Sequence, residues 1–404
     1  MIDWREVDAV VRGLDAATGE VGEAHGLPQA CYVSPSFLEF ERRAVFERSW
    51  LGLGRVDQIP EPGDYFTVTV CDEPLLVVRG DDGEVHVLSN VCTHRHHLLV
   101  EGSGHLDGVL RCPLHAWGFA TDGRLVYPTG LRDLDPAARA ALRLPRLKVE
   151  LWHGFVFAHH DPDAPALAPT LTKAAAAAGP HRLDELVTTE PFDTGPFPWN
   201  WKTTLENGLE PFHTHFLHKP QHDFAPFPTF VDWDEDDGAV LHPTQLREPD
   251  QSFNPLWRNL LEPLPGLGPA ERRQVCFIAV PPTLYFGLMP DHVWWMLVLP
   301  QGAGEVVLRN GILHHPDARR LPNFPQRVDW IVQGLNLLFA EDAAANASVQ
   351  RGRRSRYARP GPYAPEEATL PQMNRWLARA YRAAYAELAG EVPVARPEAR
   401  RRVS

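Results

Sequence analysis

Two short Cys/His pairs constrain this chain more than any other feature. Cys92-Thr93-His94 and Cys112-Pro113-Leu114-His115 are separated by seventeen residues. Two thiolates and two imidazoles on separate hairpin loops can converge on a four-coordinate zinc ion or on a [2Fe–2S] cluster with mixed ligation. Each half here joins one Cys to one His, whereas zinc fingers usually keep like ligands together. The pattern therefore favours the cluster, with one iron on both thiolates and the other on both imidazoles. Imidazoles bring less negative charge than thiolates and so raise the reduction potential.

Such loops need a β framework, and the flanking sequence supplies one. Tyr65–Val70, Leu75–Arg79 and Val85–Leu88 are short β-like runs divided by the turns Glu61–Asp64 and Gly80–Gly83. Gly102-Ser103-Gly104 reads as a further turn, since no helix pattern follows it. Ahead of this unit, Trp4, Val7, Val10, Val11 and Leu14 fall at helical spacing, and Leu38–Phe46 repeats the pattern. Behind it, a Pro/Ala-rich connection at 161–180 carries a short helix at Leu171–Ala178. Strands are expected at Gln274–Val280, Thr283–Leu288, His292–Leu299 and Glu305–Leu313, and helices at Phe324–Gln350 and Pro365–Leu388. At 404 residues the chain exceeds one ordinary domain. We divide it into a helical segment 1–45, a cluster-bearing β unit 46–160 and an α+β unit 161–404.

The net charge of −13 argues against nucleic acid or an anionic membrane as the main partner. The longest apolar stretch, Val293–Leu299, is far short of a membrane span. The first residues do not form a secretory signal, so a cytoplasmic protein is expected. Cys31, Cys71 and Cys276 are expected to be small buried hydrophobes, and the basic tail Arg396–Val403 a solvated end.

A second cluster of ligand-type residues lies in Asn200–His218, where His213, His215 and His218 accompany Glu206 and Glu210. An iron(II) that activates O₂ needs two neutral imidazoles and one carboxylate on one face, with the opposite face open. His213 and His218 would lie about 140° apart on a continuous helix. The helix must therefore end or distort near Phe216–His218, and Pro220 is consistent with that. His215 is a rival ligand.

Asn90–Arg95 together with Cys112–Phe119 resembles the Rieske domain of the ring-hydroxylating oxygenases. The resemblance implies that Cys92, His94, Cys112 and His115 hold the cluster, with Trp117 packed beside it. The order acid–x–x–His–x4–His at Glu210, His213 and His218 resembles the catalytic domain of the same family. It implies that both imidazoles bind a mononuclear Fe(II). Glu210, which is Asp in many members, is implied to link that iron to the cluster of a neighbouring subunit. Phe339–Ala343 resembles the family's C-terminal helix, which makes Asp342 the third ligand and Glu341 its competitor.

The likeness runs from about Leu27 to Trp376 and is closer to the quaternary-ammonium branch than to the large aromatic-ring dioxygenases. It implies an α+β fold: an antiparallel β Rieske domain and a helix-grip, START-like catalytic domain on which residues 1–45 pack. It also implies a ring of three identical subunits. No dinucleotide-binding or flavin-type segment is present, so electrons should come from a separate NAD(P)H-dependent reductase, with or without a ferredoxin. The expected activity is oxidation of a small organic molecule, a quaternary ammonium compound or an aromatic, with O₂. Pro281–Trp295 is expected to form pocket-side strands, with Arg258, Arg272 and Arg273 as a candidate fork for a substrate carboxylate. The rival reading, a Rieske electron-transfer protein without oxygenase activity, needs only the first ~110-residue unit and leaves the second His/Asp set without a purpose.

Overall fold

The computed structural model describes residues 1–391 apart from 132 and 255, and only the backbone of 220–222 and 391. The basic tail Arg396–Val403 lies outside the described residues. The fold is α+β and built on two large antiparallel sheets and a small three-stranded one.

The first helix, Trp4–Gly13, starts where the Asp3 carboxylate accepts the backbone N–H groups of Arg5 and Glu6. It buries Val7 and Val10. Pro35–Glu41 starts in the same way, capped by Ser34 with Pro35 in its first turn. Both helices pack on the late helix Thr369–Leu388, with Phe37 edge-on to Tyr381 at 5.3 Å and Trp4 against Tyr385 at 6.4 Å. A fully buried ion pair pins this contact: Lys202 Nζ lies 2.7 Å from Glu41 Oε1, which also accepts the Tyr381 hydroxyl. Removing either charge would strand the other in the core at a cost of about 3–5 kcal/mol.

The first sheet has seven strands: β1 (Leu51–Arg55), β2 (Asp64–Val70), β3 (Glu73–Arg79), β4 (Val85–Ser89), β5 (Ser103–His105), β9 (Arg146–Trp152) and β10 (Phe155–His159). Their order is β1-β10-β9-β4-β3-β2-β5. The expected turn at Gly102–Gly104 is in part this edge strand, since Tyr65 and Phe66 pair with Gly104 and Ser103. Three short strands, β6 (Leu110–Arg111), β7 (Gly118–Phe119) and β8 (Leu125–Tyr127), form a separate sheet. The two Cys/His loops leave from β4 and β6.

The second sheet has eight strands: β11 (Val187–Thr188), β12 (Phe192–Phe197), β13 (Phe227–Pro228), β14 (Val240–Gln245), β15 (Gln274–Val280), β16 (Leu284–Leu288), β17 (Val293–Gly302) and β18 (Glu305–His314). They run β11-β18-β17-β16-β15-β14-β13, with β12 also paired to β18. Helices Trp201–Leu209 and Phe324–Arg353 lie on the cavity side, where Trp294 of β17 meets Phe339 of the long helix.

Strand alternation assigns the aromatics of β15–β17 to two jobs. Tyr285 pairs with Met296, and Phe286 with Trp295. Tyr285 and Met296 line a cavity, while Phe286 and Trp295 turn the other way onto Phe155 of the first sheet (5.6 and 6.3 Å). The strands of Pro281–Trp295 thus reach the pocket with alternate residues only, Tyr285 and Trp294 among them. Gly311 lies opposite Trp295, where a Cβ would come within 2.5 Å of the indole. Cys31 and Cys276 are buried as expected, but Cys71 is only half-buried. Among the described residues, no helix is long and apolar enough to cross a membrane.

Candidate metal centres and substrate cavity

The two Cys/His loops close in the same way. The Cys92 N–H donates to the His97 carbonyl and the His96 N–H to that of Cys92, both at 2.9 Å. In the second loop Cys112 donates to Trp117 (2.8 Å) and Ala116 to Cys112 (3.0 Å). His96 and Ala116 both take left-handed φ, 58° and 56°, which turns each chain back. The Asn90 side chain clamps the first loop at its base by donating to the Val100 carbonyl (2.8 Å).

This geometry buries Cys92 and Cys112 and leaves His94 and His115 at the surface. The imidazole rings lie 4.8 Å apart, and Trp117 stacks on His94 at 4.6 Å. Burial raises the Cys92 thiol above its ordinary range, and the neighbouring Cys112 adds to this. The donors thus form a buried sulfur pair and an exposed imidazole pair. Among the described residues, only His213, His218 and Asp342 gather three or more such donors within 4.8 Å of one another. A single zinc would need its four ligands around one point. Two pairs kept apart suit a binuclear cluster.

The second site begins where the helix Trp201–Leu209 stops short of the histidines, and Glu210 is extended (ψ 121°). Pro211 follows, and it has no N–H for a helical bond. The Glu210 carboxylate turns back to accept the His213 N–H (2.9 Å) and to meet His213 Nδ1 (2.7 Å). A short helix, Thr214–Leu217, ends at His218. The chain thus breaks at Glu210–His213 as well as at the expected Phe216–His218.

With the break in place, both Nε2 atoms point at one oxygen. Asp342 Oδ1 lies 2.8 Å from His218 Nε2 and 3.6 Å from His213 Nε2. Asn207 Nδ2 donates to the same oxygen (3.1 Å). Glu341 does not share the centre; it lies behind His218, 2.6 Å from Nδ1. Each imidazole is held from behind by a carboxylate, an arrangement that fixes the tautomer of a metal-binding His and raises its basicity. Burial lowers the His218 pKa, but the hydrogen bonds from Asp342 and Glu341 outweigh it, and the group lies above its ordinary value. Two imidazoles and one carboxylate on one side fit a mononuclear iron. His215 is exposed and edge-on to Phe216, outside this set.

The site opens into a cavity of about 140 Å³, walled by rings that include Trp199, Phe253, Phe277, Tyr285, Trp294 and Phe339. Their polar atoms are engaged elsewhere: Trp199 Nε1 donates to Thr204 (2.8 Å), Trp294 Nε1 to Asn310 (3.1 Å) and the Tyr285 hydroxyl to the Gly208 carbonyl. Gly208 carries no side chain because a Cβ would come within 2.8 Å of the Tyr285 ring. His242 Nε2 donates to the same carbonyl (3.1 Å), and burial pushes this imidazole down to about 4. A second, more open cavity of about 500 Å³ lies against the first and shares Asn207, Glu210, His213 and Asn346 with it.

Arg258, Arg272 and Arg273 do not line the inner cavity; Arg272 pairs with Asp250 and Arg273 with Glu248. Sequence reasoning missed Asn207, His242 and Asn346 as cavity residues. Asn346 was accessible in principle, since it stands one helical turn after Asp342. His242 sits alone on a strand with no pattern to mark it.

Residues 172–383 match the ring hydroxylating alpha subunit (catalytic domain) family, and residues 49–135 match the Rieske [2Fe–2S] domain. The chain is 27% identical over 376 residues to the glycine betaine monooxygenase oxygenase subunit of Chromohalobacter salexigens, covering 84% of this chain and 82% of that protein. It is 33% identical over 193 residues to the carnitine monooxygenase oxygenase subunit of Acinetobacter pittii, 46% of this chain and 50% of that one. The chain thus spans about half the length of the carnitine relatives it matches. The solved quaternary ammonium Rieske monooxygenase CntA shares the fold, with a TM-score of 0.76 at 24% identity over 91% of this chain and 98% of that one.

Proposed function

The chain belongs to the ring-hydroxylating alpha-subunit family, and from that premise we propose that it is the oxygenase component of a Rieske non-haem iron enzyme, oxidising a small organic substrate with O₂. The observation that carries this reading is the convergence of His213, His218 and Asp342 at the mouth of an aromatic cavity, in a chain that also has the two Cys/His loops. An electron-transfer protein would need no such cavity.

Cys92 and Cys112 would hold one iron of the cluster and His94 and His115 the other, while His213, His218 and Asp342 would hold the mononuclear iron. Bound there, the cluster supplies electrons singly and the iron supplies the centre at which O₂ is activated. The protein's own part is positional. Glu210 and Glu341 fix the two imidazoles, and Asn207 steadies Asp342. The ring walls keep water from the substrate and so limit side reactions.

Glu210 borders the outer cavity as well as the inner one. This supports a role for Glu210 as the link to the exposed imidazole tip of a neighbouring copy, and with it a homotrimer. Electron transfer between subunits is described for a quaternary ammonium Rieske monooxygenase of the same fold. A separate NAD(P)H-dependent reductase, with or without a ferredoxin, would feed the cluster. The relatives act on carnitine, glycine betaine, choline and anthranilate, which supports a quaternary ammonium or aromatic substrate. The test is oxygen uptake with a surrogate reductase over a panel of both classes. Formaldehyde release marks N-demethylation, and a cis-diol or phenol marks ring attack. A protein without a visible cluster band refutes the reading.

A further inference from the structure

Asn346 is, with the unpartnered Nδ1 of His242, a polar feature of the inner cavity that the proposed ligand set leaves without a task. It is 6% exposed and lines both cavities. It sits on the Phe324–Arg353 helix, four residues after Asp342 and so on the same face. Among the described residues its carboxamide has no hydrogen-bond partner, whereas its neighbours on that face do: Asp342 takes Asn207, and Gln350 donates to the Tyr32 carbonyl (2.8 Å). A carboxamide offers two donors and an acceptor, and in Asn346 they face cavity space with no protein partner, so a substrate group can take them.

The rest of the wall says what could meet them. Among the described residues no Lys or Arg lines the inner cavity, and the indole and phenol groups of Trp199, Trp294 and Tyr285 are turned to protein partners. The acidic side chains of Asp342 and Glu210 already line it. Apart from the iron proposed at His213, His218 and Asp342, whose charge the Asp342 and Glu210 carboxylates offset, a substrate carboxylate would find no cation on this wall. Arg353 of the outer cavity is already paired with Glu206 at 2.7 Å, and desolvating an unpaired carboxylate is strongly unfavourable. A space of about 140 Å³ is close to the ~150 Å³ of an apolar cavity that accepts benzene.

We infer that the cavity selects a compact substrate, about the size of one six-membered ring or one trimethylammonium group, that carries a neutral hydrogen-bonding group and no carboxylate, and that the Asn346 carboxamide binds that group. The inference rests on the oxygenase reading and narrows its substrate class. It separates this chain from the relatives that act on carnitine, glycine betaine and anthranilate, all of them carboxylates.

Titration calorimetry of the iron-loaded enzyme with two matched pairs tests it: choline against glycine betaine, and benzyl alcohol against benzoate. In at least one pair the alcohol should bind at least ~10-fold more tightly than the carboxylate, and the pair that responds identifies the skeleton. Asn346→Leu, which keeps the branching of the side chain but is somewhat larger, should weaken that alcohol by about 10-fold and leave its carboxylate partner unchanged, with iron content and melting temperature as in the parent. Carboxylates that bind as well as the alcohols overturn the inference, as does binding of none of the four. An Asn346→Leu protein that folds, keeps its iron and still prefers the alcohol overturns the role of Asn346. The oxygenase reading is judged separately, by the cluster spectrum and iron content of the unsubstituted protein.

Discussion

The two candidate metal sites orient their histidines by opposite means. At the loop tip, His94 and His115 are exposed, and among the described residues neither ring has a hydrogen-bond partner; Trp117 holds His94 by stacking. At the cavity, His213 and His218 are each fixed from behind by a carboxylate, at 2.7 and 2.6 Å, and His218 is buried. The tip leaves its imidazole N–H groups free for another surface. The cavity site uses its second nitrogens internally, on carboxylates of its own chain. On the proposed oxygenase reading, the first design suits electron transfer to a partner and the second suits confinement of a reactive species.

The largest expected effect comes from removing one ligand at each site. Cys112→Ser should abolish the electron paramagnetic resonance signal of the reduced cluster and leave the cavity iron in place. Asp342→Ala should do the reverse, losing about one iron per chain, keeping the visible band and ending turnover. Iron analysis and spectra on both proteins check this. If either substitution empties both sites, the contrast fails.

Next in size is Glu341→Ala. A residue that only orients a ligand typically costs 10- to 100-fold in metal affinity when removed, so this variant should bind iron more weakly but still bind it. A competition assay against a chelator reads the difference. If Glu341→Ala loses all iron while Asp342→Ala keeps it, the two neighbours have been assigned in the wrong order.

Acid separates the buried imidazoles from the exposed ones. His181 is buried in the catalytic half, and burial pushes it down to about 4, with the nearby Glu271 acting weakly the other way. Unfolded, it takes a proton near its ordinary 6.5. Between those values the unfolded chain binds more protons, so stability is full above about pH 6.5 and falls with pH by about 1.4 kcal/mol per unit. Urea midpoints at pH 7 and 5.5 should show the loss, and His181→Leu should flatten the slope. An unchanged slope would mean that His181 protonates in the folded state.

How far the sequence could reach follows from the same contrast. The loop ligands are local: Cys and His two or three residues apart, on hairpins marked by turn signals, can be read without a fold. The cavity site is assembled from two helices more than a hundred residues apart, and Asp342 was reached only through resemblance. The two histidines call for a break near Phe216–His218, which is present; the further break at Glu210–His213 is marked in the sequence only by Pro211. Which aromatics face the cavity depends on strand register, which the run Pro281–Trp295 does not display. Asn346 and His242 become functional candidates only when burial and missing partners are visible.

The smallest effect should come from Trp117→Phe, which examines the tip's reliance on packing. The indole does two things: its ring stacks on His94, and its Nε1 donates to the Thr129 carbonyl at 3.2 Å. Phenylalanine keeps a ring for the first and loses the second. Thr129 is exposed, so water can satisfy its freed carbonyl, and the hydrogen bond is worth no more than about 1 kcal/mol. Trp117 itself is buried, so the smaller ring adds a modest packing loss. We expect an intact cluster signal, unchanged cavity iron and a melting temperature lower by only a few degrees. If stacking alone positions His94, the line shape of the reduced cluster should also survive. A changed line shape with a normal melting temperature would show that the indole N–H, and not its ring, sets the imidazole. The tip would then depend on a hydrogen bond after all, one step removed, and the contrast with the carboxylate-held cavity site would be one of distance and not of kind.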